Sequence, residues 1–267
     1  MLKLKLFHND MSVCAQKVRM VLAYKNLEWE SVHLNLRAGD QFKPEFKQVN
    51  PKGMVPVLQH NGATITESTA IIEYLDEVFP DPALMPANPL ERAIVRNWMI
   101  RLDASLHENI AVISFCVAFR HQMLERYADQ DALEGFLNNI PDPARASNMR
   151  EFLLNGLDSP RLRQSLYVYN KLLQDMDHAL SHGGWLAGAH LSLADFSLLP
   201  YLERLQQLQM AEWWHEYPGI DAWLLRMTET AGYRQGMLDW HNHSYIQLMG
   251  QKGQEAWPTV KALIDDL

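Results

Sequence analysis

Residues 50–75 read NPKGMVPVLQHNGATITESTAIIEYL, and the turn inside them decides the fold. "VPVLQH" and "ATIT" flank Asn61-Gly62, the dipeptide best able to take the two positive φ angles of a tight hairpin, so two antiparallel strands are predicted. Pro56 stands at the start of the first strand, where a missing amide donor is tolerated. A helix then begins near Glu67-Ser68 and carries Ile71, Ile72, Leu75 and Val78 at helical spacing. Upstream, "LKLKLFH" (2–8) alternates with period two, residues 13–25 follow a helical pattern, and "WESVHLNL" (29–36) alternates again. The order βαβ then ββα describes a small mixed sheet with helices packed on it.

The rhythm changes at "FPDPALMPANPLER" (79–92). Pro80, Pro82, Pro86 and Pro89 fall within ten residues there, removing donors and restricting their neighbours, which marks a linker. Past it no strand pattern is found. Residues 90–125 make one long helical pattern, with Ile94, Trp98, Leu102, Leu106, Ile110, Ile113 and Val117 as an apolar stripe for core or dimer packing. The polar stretch 126–160, with "NNIPDPARASN" and "DSPR", reads as an excursion between helices. Further helices are predicted at about 161–182, 192–209 and 219–231, the second opened by Ser192 and Asp195 at capping-box spacing. An α/β domain at 1–82 and an all-helical domain at 83–267 are the expected division.

Composition narrows the function. Of 267 residues 48% are hydrophobic and 21% charged, enough to bury a proper core. A net charge of −8 argues against nucleic acid, which selects basic patches. No run reaches the roughly 20 apolar residues of a membrane span, and the N-terminus alternates Leu and Lys instead of carrying a signal peptide's apolar core. With Cys14 and Cys116 as the two cysteines, no disulfide framework forms and a reducing cytosol is the expected setting. Cys116, in "ISFCVAF", reads as core filler.

The chemistry gathers in three places. "MSVCAQKVR" (11–19) puts Ser12 and Cys14 at a strand-to-helix junction, where free amides and about half a positive charge favour an anion. A thiol of pKa near 8.5 needs a fall of about two units, roughly 2.7 kcal/mol, to become mostly thiolate. The anion is either Cys14 itself or the sulfur of a bound thiol; Ser12 serves that sulfur or simply caps the helix. At Val55-Pro56, a cis bond would let the Val55 amide and carbonyl pair with an extended peptide. Ser68, opening its helix, suits a carboxylate, and Glu67 an ammonium. Thiol, peptide and amino-acid terminus together describe glutathione. His178 and His182, four apart, and His241 and His243, two apart, lack the further ligands of a metal site, so no metal is expected.

In order and spacing, "S-x-C-x-x-K-V-R", "NPKGMVP", "TESTAIIEYL", "SLADFSLLPYL" and "YPGIDAWLLRM" resemble the cytosolic glutathione transferases over nearly the full chain. The resemblance implies a thioredoxin-like N-terminal domain, an α-helical C-terminal domain and usually a homodimer. It implies that Val55, beside cis-Pro56, holds the cysteinyl backbone of glutathione, that Glu67 and Ser68 hold its γ-glutamyl end, and that Gln41 and Lys52 hold its glycine carboxylate. With "KLFH" at the strand end, tyrosine-type classes do not fit. Ser12 fits serine-type classes, and Cys14 those forming a mixed disulfide. "NDMSVC" is similar to the opening of reductive dehalogenases of chlorinated hydroquinones. Residues 117–156 and 66–99 instead resemble bacterial β-aryl etherases that cleave lignin-type ethers, in which the position of Cys14 is typically serine.

Both relationships imply a glutathione thiolate attacking an aromatic electrophile, an aryl ether, aryl halide or quinone. The acceptor pocket is expected between the domains, with Arg96, Ile100, Asp103 and His107 on one helix face. His107 would donate to a leaving oxygen, or simply pair with Asp103, while Phe115 and Phe119 stack on an aryl ring. Cys14 would serve a glutathione lyase or reductive dehalogenase. The rival from another class is a non-catalytic ligand-binding protein of this fold, against which the intact Val55-Pro56 and Glu67-Ser68 motifs speak.

Overall fold

A computed structural model describes residues 4–267. The N-terminal elements are β1 (Leu4–His8), α1 (Val13–Tyr24), β2 (Glu30–His33), α2 (Pro44–Val49), β3 (Val57–His60), β4 (Ala63–Thr66) and α3 (Ser68–Val78). The strand expected from residue 2 is seen from Leu4; Leu2 and Lys3 lie outside the described residues. Strand order is β2-β1-β3-β4, with β1 parallel to β2 and antiparallel to β3. The hairpin pairs His60 with Ala63 across Asn61 (φ 50°) and Gly62 (φ 88°), the conformation that selects these two residue types.

The proline-rich linker is stitched down. Buried Asp76 accepts from the Leu84 and Met85 amides at 2.8 and 2.9 Å and pairs with buried Lys25 at 2.7 Å. Lys25 spends its remaining donors on the Phe79 and Pro82 carbonyls. A buried ion pair so fully hydrogen-bonded fixes where the helical half begins.

That half opens with α4 (Pro89–Arg126), one helix as its periodicity predicts, long and apolar enough to cross a membrane by length and composition. Its apolar stripe is used in the core: Val95, Met99, Leu102, Leu106, Ile110, Ile113 and Val117 are buried. Two π turns, Leu102–Leu106 and Phe115–Phe119, interrupt its regular winding. Upstream of the first π turn the stripe departs from expectation, with Val95 buried and Ile94 exposed.

The stretch 126–160 is helical, not a loop excursion: α5 (Gln130–Asn138) and α6 (Pro143–Asn155) fill it. Asp129 and Asp142 cap them through their carboxylates, and Met123, Leu133, Phe136, Leu137, Ile140 and Leu153 give them a small core of their own. Then come α7 (Pro160–Gly183), α8 (Leu193–Gln207), α9 (Pro218–Thr228), α10 (Ala231–Gly236) and α11 (His243–Asp265). The last two were not anticipated. Where α11 crosses the end of α8, a Cβ on Gly253 would stand 1.9 Å from the Leu208 carbonyl oxygen, so only glycine allows that approach.

The centre of the helical half is Asp195, wholly buried in the first turn of α8. Its carboxylate accepts from the Ser192 amide and hydroxyl, the Leu186 amide and the Trp223 indole, all within 3.0 Å. The predicted capping residue thus also anchors two distant segments. Burial raises its pKa, the four donors opposing that shift. Asp195→Ala strands these donors in the core, and urea unfolding should show stability falling by about 3 kcal/mol. A loss below about 1 kcal/mol would mean that Asp195 is not the anchor.

Candidate functional site

A cavity of about 250 Å³ opens between the sheet half and the helical half. On the sheet side it is reached by Ser12 and Val13 at the start of α1, by Gln41 and by Val55, whose bond to Pro56 is cis. Ser12 is the N-cap, its Oγ accepting from the Ala15 amide at 3.4 Å. As acceptor in that bond, the hydroxyl keeps its proton to donate elsewhere. Gln41 is buried and donates to the Leu36 carbonyl at 3.2 Å.

Glu67 sits at φ 66°, a region a non-glycine residue occupies only when its surroundings impose it. Its carboxylate takes Lys52 Nζ at 2.7 Å, both side chains mostly exposed. Lys52 is therefore brought to Glu67, and Ser68 is buried beside them at the head of α3.

Cys14, in the first turn of α1, is half-buried and faces helix α4. Its Sγ lies 3.4 Å from His107 Nδ1 and 3.7 Å from the Tyr201 hydroxyl, and the latter two are 3.1 Å apart. Burial pushes the Cys14 thiol up, but the His107 charge and hydrogen bond, then Lys17 and the Ser68 hydroxyl, outweigh it and bring it down to about 6. Cys14 in turn raises His107, against its burial. Cys14 is thereby drawn toward the thiolate and His107 toward its protonated form, the arrangement of an activated thiol. Tyr201, raised well above its ordinary value by burial and by Cys14, stays a neutral phenol. Lys17, wholly buried, donates to Thr69 at 2.8 Å, and Thr69 donates to Asp103 at 3.0 Å.

The expected acceptor residues separate. His107 and Phe115 line the cavity, with Phe115 edge-on to Phe119 at 5.5 Å. Ile100 is 63% exposed and lies off the cavity wall, and Asp103 is turned to Thr69. One shared face requires a regular α-helix throughout; the π turn at 102–106 re-phases everything beyond it. For the same reason His107 pairs with Cys14 instead of Asp103. Arg96 pairs with Glu73. Cys116 is core, as expected, its thiol pushed up to about 12 by burial.

Sequence reasoning missed Tyr201, Arg37, Arg145 and Arg204, of which the three arginines line the cavity. Only the "SLLPYL" run hinted at Tyr201; Arg37 and Arg145 sit in ordinary polar segments that carry no local signal.

The thiolate is open to direct measurement. Alkylation of Cys14 by iodoacetamide, followed by intact mass, should rise with pH through a midpoint near 6. In His107→Asn the midpoint should move up by more than one unit; an unmoved midpoint would show that His107 does not hold the charge.

Residues 11–78 match the glutathione S-transferase N-terminal domain, and residues 161–226 match its C-terminal domain. Glutathione S-transferase omega-1 of Mus musculus is 30% identical over 91% of this chain and 84% of its own length. Protein LigF of Sphingobium sp. is 29% identical over 84% of this chain and 89% of its own. The crystal structure of that protein, described as a beta-etherase, superposes with a TM-score of 0.79 at 27% identity, covering 87% of this chain and 98% of that one. Glutathione S-transferase Z1 of Arabidopsis thaliana is 43% identical, but over 42% of this chain and about half, 52%, of that relative. The small mixed sheet, the helical half beyond it and the site between them agree with these matches: the chain belongs to the glutathione S-transferase family.

Proposed function

We propose that the protein binds glutathione and transfers its sulfur to an aromatic electrophile, with β-aryl ether cleavage as the reaction class. Residues 1–82 hold glutathione and residues 83–267 hold the acceptor. The observation that carries this reading is the pairing, in one cavity, of the Ser12 hydroxyl at a helix N-terminus with an apolar wall bearing Phe115 and Phe119. Val55 next to cis-Pro56 receives the cysteinyl backbone, Glu67 and Ser68 the γ-glutamyl end, and Gln41 the glycine end, with Lys52 bridging to Glu67.

In this reading Ser12 donates to the glutathione sulfur and the α1 amides add partial positive charge, so the thiolate persists at neutral pH. The thiolate attacks the carbon bearing the aryloxy group. The C–S bond forms, the C–O bond breaks, and His107, on the cavity wall and drawn toward its protonated form, protonates the departing oxygen. LigF, named a beta-etherase, resembles this chain over most of its length, which supports the reaction class. The setting is a reducing cytosol, and the expected form is a homodimer, to which Leu90 and Ile100, exposed on α4, offer apolar surface.

One observation favours a second reading, the Cys14–His107 pair. A Cys14 thiolate attacks the sulfur of a glutathione thioether, forming a mixed disulfide while the carbon–sulfur bond breaks. The carbanion, when stabilised by a neighbouring carbonyl or ring, takes its proton from the imidazolium. A second glutathione reduces the mixed disulfide and leaves as glutathione disulfide, so two electrons come from glutathione. Single substitutions separate the readings. For ether cleavage, Ser12→Ala should lower kcat with a β-aryl ether by about 10²-fold, and Cys14→Ala by less than tenfold. The reverse order, with a reductant-sensitive mass gain of one glutathione on the wild type, would move the assignment to Cys14.

A further inference from the structure

The cavity is cationic in a chain of net charge −8. Among the described residues its lining includes Arg37, Arg145 and Arg204 and no Asp or Glu. Two of these arginines are held against one aromatic ring, with the Arg37 and Arg204 guanidinium carbons 4.3 and 4.9 Å from the centre of Phe119. Arg204 is buried and spends its donors on neutral acceptors, the Met11 carbonyl at 2.6 Å and the Ser114 hydroxyl at 3.3 Å. Arg37 is further clamped by Tyr245, at 5.0 Å from its ring centre, and its Nε makes a long bond of 3.4 Å to Gln122. Arg37 Nη2 is buried and has no partner.

A guanidinium held rigid, desolvated and short of an acceptor is a place prepared for an anion. The charges around it do not fill the role. Asp10, the carboxylate near it, is engaged by the Met11 amide and by Asn242. Resting on the glutathione-transfer reading, we infer that the acceptor is an aromatic carboxylate, its ring on the Phe115–Phe119 wall and its carboxylate on the cavity-lining Arg37 guanidinium. Arg204 adds a second positive charge nearby, and the Phe119 ring separates apolar from ionic contacts. This selects among aromatic electrophiles by charge, a criterion that the apolar wall alone does not supply.

Glutathione has carboxylates of its own, and its glycine end is the competing occupant, since Gln41 bonds the Leu36 carbonyl next to Arg37. Arg145, whose Nη2 reaches the Lys52 carbonyl at 3.4 Å, stands where it can take that end instead. Calorimetric titration separates the sources. The full chain, saturated with S-methylglutathione, is titrated with 3,5-dinitrobenzoate and with 1,3-dinitrobenzene, rings that differ by the carboxylate alone. The wild type should bind the benzoate at least tenfold more tightly, and Arg37→Gln should abolish the preference while keeping its Kd for S-methylglutathione. Equal binding of the two rings by the wild type overturns the inference without recourse to any variant. A weakened Kd for S-methylglutathione in Arg37→Gln, with the ring preference intact, overturns it in favour of the glycine end. If S-methylglutathione does not bind the wild type, the transferase reading falls, and the ring comparison made without it still decides for or against Arg37.

Discussion

Three consecutive carbonyls, those of Asn9, Asp10 and Met11, connect β1 to α1, and two arginines, one in α1 and one in α8, hold them. Arg19 donates to the first two at 2.8 Å each and Arg204 to the third at 2.6 Å. Asn9 and Met11 are buried, and a buried carbonyl needs a donor. Arg204 comes from α8 in the helical half, and Arg19 also donates to the Gly236 carbonyl there at 2.9 Å. The loop that sets the start of α1 is therefore bonded to both halves at once. The position of Ser12, hence of the first-turn amides, follows from that bonding and not from the sheet alone.

With α1 fixed at its start, its helical phase divides the thiol chemistry. Two residues along a helix turn about 200°, so Ser12 and Cys14 point to different sides. Ser12 opens on the cavity, whereas Cys14 meets His107 and Tyr201 from the helical half. Lys17 continues the Cys14 side, joining through Thr69 to Asp103. One helix terminus thus presents a hydroxyl on one side, toward the cavity, and a histidine-paired thiol on another.

What was legible in the sequence is what short-range geometry dictates. Asn61-Gly62 determines its hairpin through two φ angles, Asp195 reaches Ser192 within one turn, and Pro56 marks the entry to β3. The motif order also carried the family. The α4 face was misdrawn because a π turn is a local change of winding with no clear residue signature, and it moved Ile100 off the cavity and His107 onto Cys14. The helices α5 and α6 were hidden by a polar surface, their apolar residues meeting one another, Met123 and a few partly buried rings such as Phe42, Phe115 and Tyr127. The Cys14–His107 contact spans 93 residues, and no periodicity can report it.

The second π turn, Phe115–Phe119, has the clearer consequence for recognition. It brings both phenylalanines to the cavity on the helix that also supplies His107. The same Phe119 ring supports two guanidinium groups, of which Arg204 is committed to the β1–α1 loop and Arg37 is not. A partly buried cation whose Nη2 finds no acceptor is costly to a free protein. It persists here beside an apolar surface and a wall without carboxylates, conditions under which an anion gains most from entering and a neutral ring gains only its burial. Charge selection and loop anchoring are then two uses of one pair of arginines, and the structure separates them by what each guanidinium already holds.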